Sequence, residues 1–442
     1  MPAGDARHRG RTAEGRYAAQ AMKAAAALLA LAAAQAMAAP QEVTVWRHDT
    51  GDAEMAASKA MVERFNRSQD KWKVTVQAIP QGSYTEAITA ASMVGQLPCV
   101  VAIDQPTVPN FAWAGHVQPL DGLLPRASVA RLMPGGKGTY KEKLYSVGQF
   151  DVVLLLYARR SQLQALGVRI ATVDQPYTAE ELHAILQRAK ASKRFRFPLD
   201  LNGRAKGEWV SYGFSPWLQS AGADLIDRTG YLRVDGVLNS PAALGVARYY
   251  SRLFKEKLAE RNPADERGFE QGRSLLQYTG SWKAREYAAR FGDDLVAMPP
   301  PDFGAGPKAG AASWQWAVTR NCPAPQGAAA FVDFLISPAE MAAMSRATGL
   351  IPVSEEAAAL TEHYRPGGDW RIYFDFAARY ATPRPATPAY PAISAAFEKT
   401  MSDLRSGKDA AEALDEAVEA IERNIARNHG YGFGARKEVA SQ

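Results

Sequence analysis

Only 2 cysteines and 6 histidines occur in 442 residues, and each scarcity closes off a class of chemistry. A chain this long with two cysteines is not a small disulfide scaffold. The histidines, at 8, 48, 116, 183, 363 and 429, stand singly, so no local metal-ligand spacing exists. G-x-S-x-G, H-E-x-x-H and C-x-x-C are all missing, which removes the short signatures of serine hydrolases, zinc proteases and thiol redox enzymes. Lys190, Lys193, Arg194 and Arg196 form the one basic cluster, and a solvated helix end explains it better than nucleic acid does. Gly304-Ala305-Gly306 and Gly430-Tyr431-Gly432 resemble fragments of nucleotide loops, but neither follows a strand and opens a helix, so they read as turn glycines. No cofactor, metal or nucleic-acid partner is expected. Carboxylate pairs are another matter, because any Asp and Glu could meet in the fold.

What is present is the composition of an ordinary globular protein, 47% hydrophobic and 22% charged, with the length of two or three domains. The formal charge of +6 invites an anionic partner, but part of it lies at the front. Met22 to Ala39 reads MKAAAALLALAAAQAMAA: a Lys, an apolar run of about ten residues, then small residues, the pattern of a secretory signal. Cleavage is expected after Ala38, since Ala36-Met37-Ala38 fits the A-x-A rule. Met22 is read as the true start, because Met1 to Ala21 carries Arg7, Arg9, Arg11 and Arg16 with no apolar pattern. The Ala-rich run is shorter than the roughly 20 strongly apolar residues of a membrane span, and no Cys stands at the cleavage site to take a lipid. A periplasmic protein without a lipid anchor is therefore expected. Loss of residues 1–38 removes five of 52 basic and two of 46 acidic side chains, so the charge falls to +3. In an oxidising space Cys99 and Cys322 either pair or remain two separately buried thiols.

VTVW from Val43, KVTVQAI from Lys73 and CVVAID from Cys99 read as strands. The helical spacing of Met55, Ser58, Val62 and Phe65, and the segment Tyr84 to Val94, supply helices between them. This β-α-β-α-β order predicts a mostly parallel sheet with helices on both faces. Ligands of such sheets bind beyond the carboxyl ends of the strands, which selects Trp46, Arg47 and His48 after the first strand and Asp104 and Gln105 after the third. VGQFDVVLLLYAR, ending at Arg159, is long enough to run from one domain into another. Helix starts are marked by Thr178-Ala179-Glu180-Glu181, by Ser337-Pro338-Ala339-Glu340 and by Asp409 with Glu412. Trp314 to Thr319 is a further strand and Ala381 to Pro391 an extended Pro-rich connection. Ala411, Leu414, Val418, Ile421 and Ile425 mark a last amphipathic helix.

Trp46, Trp209, Tyr212, Trp217, Trp282, Trp314 and Trp316 are concentrated where such strands open into a cleft. Ring faces beside hydrogen-bond formers suit a ligand with C–H faces and hydroxyls, above all a sugar; core packing is the competing reading for each ring. Phe269-Glu270-Gln271-Gly272-Arg273, continuing to Tyr278-Thr279-Gly280-Ser281-Trp282, resembles the signature of family 1 extracellular solute-binding proteins, the periplasmic receptors of carbohydrate ABC importers. VTVW…FN, Gly148 to Arg160, the Ser313-Trp314 strand with its Phe331-to-Pro338 helix, and Ile351-Pro352-Val353 before a helix pair extend the resemblance over most of the chain. Tyr157-Ala158-Arg159 stands where Tyr-Asn-Lys is common, and Gly148-Gln149-Phe150 lacks the usual Pro, so the exact hinge residues stay open.

The resemblance implies a two-lobed α/β periplasmic binding protein fold of type II. Each lobe would be a mostly parallel sheet flanked by helices, with 39–145 plus 313–345 in lobe one, 150–310 plus 350–430 in lobe two, and crossing hinge strands between them. It implies a cleft lined by Trp46, His48, Asp104, Gln105, Gly280, Ser281, Trp282, Trp314 and Trp316, to which the aromatic pattern adds Trp209 and Tyr212. Arg384 lies in the Pro-rich connection, where some relatives place a ligand-binding Arg. The family topology would also run the Trp314 strand antiparallel beside the Cys99 strand, which favours a Cys99–Cys322 disulfide. The implied function is non-catalytic capture of a mono- or oligosaccharide by a monomer, and its delivery to the membrane permease of an ABC importer on lobe closure. Two rivals remain: a secreted carbohydrate-active enzyme with two carboxylates across a similar cleft, and a receptor for glycerol phosphate, a polyamine or another non-sugar ligand.

Overall fold

The computed structural model describes residues 39–311 and 313–433; the signal segment read over residues 1–38 lies outside them. In β1 (Gln41–Asp49) Val43 and Val45 point inward with strand alternation. α1 (Asp52–Ser68) opens with Asp52 and Glu54, acids that suit the positive end of the helix dipole, and buries Met61 and Phe65. β2 (Trp72–Pro80) pairs parallel with β1 along its length, and α2 (Gln81–Met93) leads to β3 (Val100–Asp104), parallel on the other side of β1. α3 (Val108–Trp113) follows, and a tight turn joins β4 (Lys137–Tyr140) to β5 (Lys143–Val147). The chain then leaves for the second lobe through β6 (Phe150–Asp151) and β7 (Leu154–Arg159). The expected single run over 147–159 is broken because its parts serve different partners.

Lobe two contains α4 (Ala179–Ala191), β8 (Leu199–Asp200), α5 (Glu208–Ser220), α6 (Pro241–Lys255), β9 (Leu276–Gly280) and β10 (Leu295–Met298), with strand order β10-β7-β9-β8. From β11 (Ala309–Gly310) the chain returns to lobe one as β12 (Trp314–Val318), α7 (Pro325–Leu335) and α8 (Pro338–Thr348). A third passage runs by β13 (Ile351–Pro352), paired with β6, to α9 (Arg371–Tyr380) and β14 (Ala381–Thr382), paired with β11. α10 (Tyr390–Ser406) and α11 (Ala410–Arg427) pack on each other and on α6 of lobe two.

Both sheets are mixed, which corrects the mostly parallel arrangement expected of each lobe. In the lobe-one order β2-β1-β3-β12-β5-β4, only the pairs that β1 makes with β2 and β3 are parallel, while β12 is antiparallel to β3 and β5. A strand that enters from the other lobe is not closed by a local β-α-β crossover, so the rule that aligns neighbours does not act on it. In lobe two β7 is antiparallel to β9 and β10. The helix starts stand where the sequence marks them: Thr178 and Ser337 accept the N–H of Glu181 and Glu340, and Asp409 accepts those of Ala411 and Glu412. Pro391 is not extended but sits in the first turn of α10, where its missing N–H costs nothing. Among the described residues no single helix is long and apolar enough to cross a membrane.

Cys99, before β3, and Cys322, after β12, form a disulfide with Cα atoms 4.4 Å apart. The register Val318 opposite Val100 brings them together. The bond spans a sequence separation of 223 residues, and a cross-link of this kind removes unfolded-state entropy worth roughly 2–5 kcal/mol. Cys99→Ser with Cys322→Ser should therefore lower the unfolding free energy from denaturant titration by that amount, with the midpoint falling in proportion; an unchanged midpoint would show the cross-link to be energetically idle.

Candidate functional site

Arg384 stands where the two lobes meet. It lies just after β14 with 4% of its surface exposed. Its guanidinium makes two contacts of 3.3 Å to Asp104, at the end of β3, and also bonds Glu208 in the first turn of α5. Tyr390 and Ser394 donate their hydroxyls to the same Glu208 carboxylate, Ser394 at 2.9 Å. The Tyr212 ring lies 4.9 Å from the guanidinium. Asp104 belongs to lobe one and its partners to lobe two, so the cluster is a polar bridge between them. Burial raises the Glu208 carboxyl above its ordinary range, against the pull of Arg384. Burial alone would lower Arg384, but Asp104 and Glu208 hold it well above the usual value. The acid side chains are more exposed than the base, 20% for Asp104 and 33% for Glu208.

An aromatic wall stands beside it. Trp282, 37% exposed, meets Trp209 edge to face at 6.2 Å and Tyr212 at 6.1 Å. A Cβ at Gly280 would fall inside the Trp282 ring, so glycine is what lets the indole fold back over β9. Ser281 is buried and holds the crossing segment instead: its hydroxyl accepts the Val153 N–H at 3.2 Å, and its own N–H donates to the Val153 carbonyl at 2.9 Å. The Tyr212 hydroxyl lies 3.3 Å from the Val152 carbonyl and 3.1 Å from that of Gly310, one on each of two passages between lobes.

On the lobe-one side Trp314 lies opposite Asp104 in the β12–β3 register. His48 stacks on Trp314 at 3.7 Å, and Tyr84 stands edge-on to both. The Tyr84 hydroxyl donates to the Trp46 carbonyl at 3.1 Å. His48 is only 2% exposed, so in this arrangement it backs Trp314 and does not face the cleft. Burial, then Arg47, push its pKa down to about 3, and the ring stays neutral. Gln105 is buried, and so is Trp316, whose indole N–H donates to Gln149 at 3.2 Å. Trp217 is a core residue of lobe two, packed against Phe214 and Phe303. Among the described residues no group of three or more His, Cys, Asp or Glu is placed to hold a metal ion.

A family model described as bacterial extracellular solute-binding protein matches residues 60–366. The chain belongs to this family. It is 24% identical over 326 residues, 71% of this chain and 69% of the relative, to an uncharacterised lipoprotein from the oleD 5′ region of Streptomyces antibioticus. Among solved structures, a cyclic alpha-maltosyl-1,6-maltose binding protein of Arthrobacter globiformis superposes with a TM-score of 0.75 at 24% identity, covering 88% of this chain and 100% of that one. The GacH receptor of Streptomyces glaucescens gives 0.72 at 22%, covering 88% and 98%. The maltose/maltodextrin-binding domain MalE of Bdellovibrio bacteriovorus gives 0.71 at 18%, covering 87% and 100%.

For this solute-binding protein the structure brings Asp104, Tyr212, Trp209, Trp282 and Arg384 to one junction, with Trp314 next to Asp104 on the lobe-one side. It buries His48, Gln105, Ser281 and Trp316. Glu208, Tyr390 and Ser394 escaped the sequence reading. Glu208, an acid in the first turn of a helix, carries no local signal of its role, and Tyr390 and Ser394, four apart on one face of α10, become meaningful only once α10 packs on α5.

His48 carries a pH signature. Folded, it takes a proton near pH 3; unfolded, near 6.5. Between those values the unfolded chain binds more protons, so its contribution is whole above pH 6.5 and is lost as pH falls, by at most about 1.4 kcal/mol per unit. The melting temperature of His48→Gln should fall less steeply than that of the native protein across this window. Equal slopes would show that His48 titrates as a solvated histidine.

Proposed function

We propose that this protein is the receptor of an ABC importer for a sugar, held between the lobes with its C–H faces on Trp282 and Trp209 and its hydroxyls on the Asp104 and Glu208 carboxylates. What carries the reading is one juxtaposition: an aromatic wall beside an ion cluster whose more exposed members are acceptors. A ring face takes the apolar side of a pyranose, and charge-assisted acceptors take its hydroxyls. Trp46 and Trp314 supply the lobe-one side, and Arg384 fixes the orientation of both acids. The fold relatives support the class: one is a cyclic alpha-maltosyl-1,6-maltose binding protein, GacH is described in complex with acarbose, and the MalE domain is bound to maltotriose. In this reading residues 22–38 direct export and are cut after Ala38, and the closed, loaded monomer hands its solute from the periplasm to a membrane permease.

The rivals fit less well. Asp104 and Glu208 grip one guanidinium, which leaves neither as the free nucleophile of a glycosidase pair. Glycerol phosphate would face these carboxylates, and a polyamine would find at most one unmatched negative charge in the cluster.

Tryptophan fluorescence titrations with maltotriose, mannotriose, acarbose and glycerol phosphate test the proposal. A sugar should bind saturably and be recovered intact, and Trp282→Ala should weaken it at least tenfold, about 1.4 kcal/mol. Breakdown of the sugar, or binding confined to glycerol phosphate and indifferent to Trp282→Ala, would sink it.

A further inference from the structure

Beyond α11 the chain turns back toward lobe one. His429, Gly430, Tyr431 and Gly432 have φ of 49, 63, 53 and 72°, a left-handed run that side chains other than glycine seldom join. This segment touches lobe one at three points. The Tyr431 ring meets Trp113, the last residue of α3, edge-on at 4.9 Å; Lys141 Nζ donates to the Gly432 carbonyl at 3.3 Å; and Phe433 stands edge-on to Tyr140 at 5.9 Å. The other side is unusual too. Lys141 and Glu142, the two-residue turn between β4 and β5, have φ of 46 and 64°, in a turn that ordinarily selects Asn-Gly. One helical turn before Trp113, Asn110 donates to the Pro388 carbonyl at 3.0 Å.

Unfavourable backbone survives where its surroundings enforce it, and such places are often part of a conformational device. Here two such segments, one from each lobe, meet each other. The hairpin tip lies about four residues along β5 from Val147, where the chain begins to cross, a lever of roughly 13 Å. Rotation about the crossing segments therefore moves the tip further than it moves residues beside them.

We infer that residues 429–433 are a clasp that holds the lobes in the arrangement seen here before any solute arrives. With the Asp104–Arg384 bridge it sets the fraction of molecules in this arrangement, and hence the apparent affinity for whatever is captured. The inference goes beyond the proposed function, and its test needs no ligand.

Spin labels at Lys59→Cys on α1 and Lys255→Cys on α6, both exposed and in different lobes, report the interlobe distance by double electron–electron resonance; the native cysteines are tied in their disulfide. Trp113→Ala, Phe433→Ala and a chain ending at Asn428 should each raise the long-distance population about fivefold, and Trp113→Phe should restore most of the short one. Trp113 is 44% exposed, so its truncation should leave the melting temperature nearly unchanged. Distances that stay the same in all three variants, or shorten, overturn the clasp. So does a loss of melting temperature with distances unchanged, which would assign these contacts to folding alone. Failure of every sugar to bind would strike the proposed function and leave this inference standing.

Discussion

A guanidinium taken out of water must be neutralised where it sits, and Arg384 is neutralised by carboxylates from two different lobes. That requirement organises the junction. Glu208 reaches it because α5 begins there, and Tyr390 and Ser394 complete its shell because α10 packs alongside. Asp104 reaches it because β3 ends at the cleft. Were the lobes to part, Arg384 would keep Glu208 and lose Asp104, so the ionic cluster favours contact between lobes with a strength that depends on how dry the junction is.

The crossing segments confine this choice to a few arrangements. Tyr212 places its hydroxyl against carbonyls of two passages and its ring against Arg384. Ser281 ties β9 to Val153 by two hydrogen bonds. The short pairs β6–β13 and β11–β14 hold the passages to one another. The residues beside the aromatic wall are therefore also residues of the hinge, and a solute that touches Trp282 or Tyr212 acts within a few residues of the pivot.

Much of this was legible in the sequence because it rests on local rules. Strand alternation, helical spacing and caps depend on residues a few positions apart, and they marked β1 to β3, α1, α4, α8 and α11. The antiparallel entry of β12 rests on a contact more than two hundred residues away from β3, which no local rule encodes. His48 shows a subtler limit. It sits at the carboxyl end of β1, where a ligand contact is expected, but this end of the strand is covered on both faces: Arg47 and His48 are each 2% exposed, one paired with Glu54 and the other stacked under Trp314. Position along a strand identifies the end that faces the cleft; it does not say which side chains remain uncovered there. Arg384 came into view only through family resemblance, since nothing in a Pro-rich stretch announces a buried cation.

On the proposed reading the same carboxylates serve the bridge and receive the solute, and this makes binding and closure one process. A carboxylate offers about four acceptor sites; Arg384 takes some of those on Asp104, and Arg384, Tyr390 and Ser394 together take most of those on Glu208. A hydroxylated solute can add donors to the remaining sites without displacing the guanidinium. It gains contacts on both lobes only when Asp104 and Glu208 are both near, the arrangement the bridge already favours. The differential affinity that drives closure thus does not have to overcome the ion pair, as it would if the arginine had to be released to make room. A solute carrying its own negative charge would have to compete with Asp104 for Arg384 and would weaken the bridge as it bound. On the proposed reading, the geometry therefore selects neutral, donor-rich solutes through the coupling to closure as well as through direct contact.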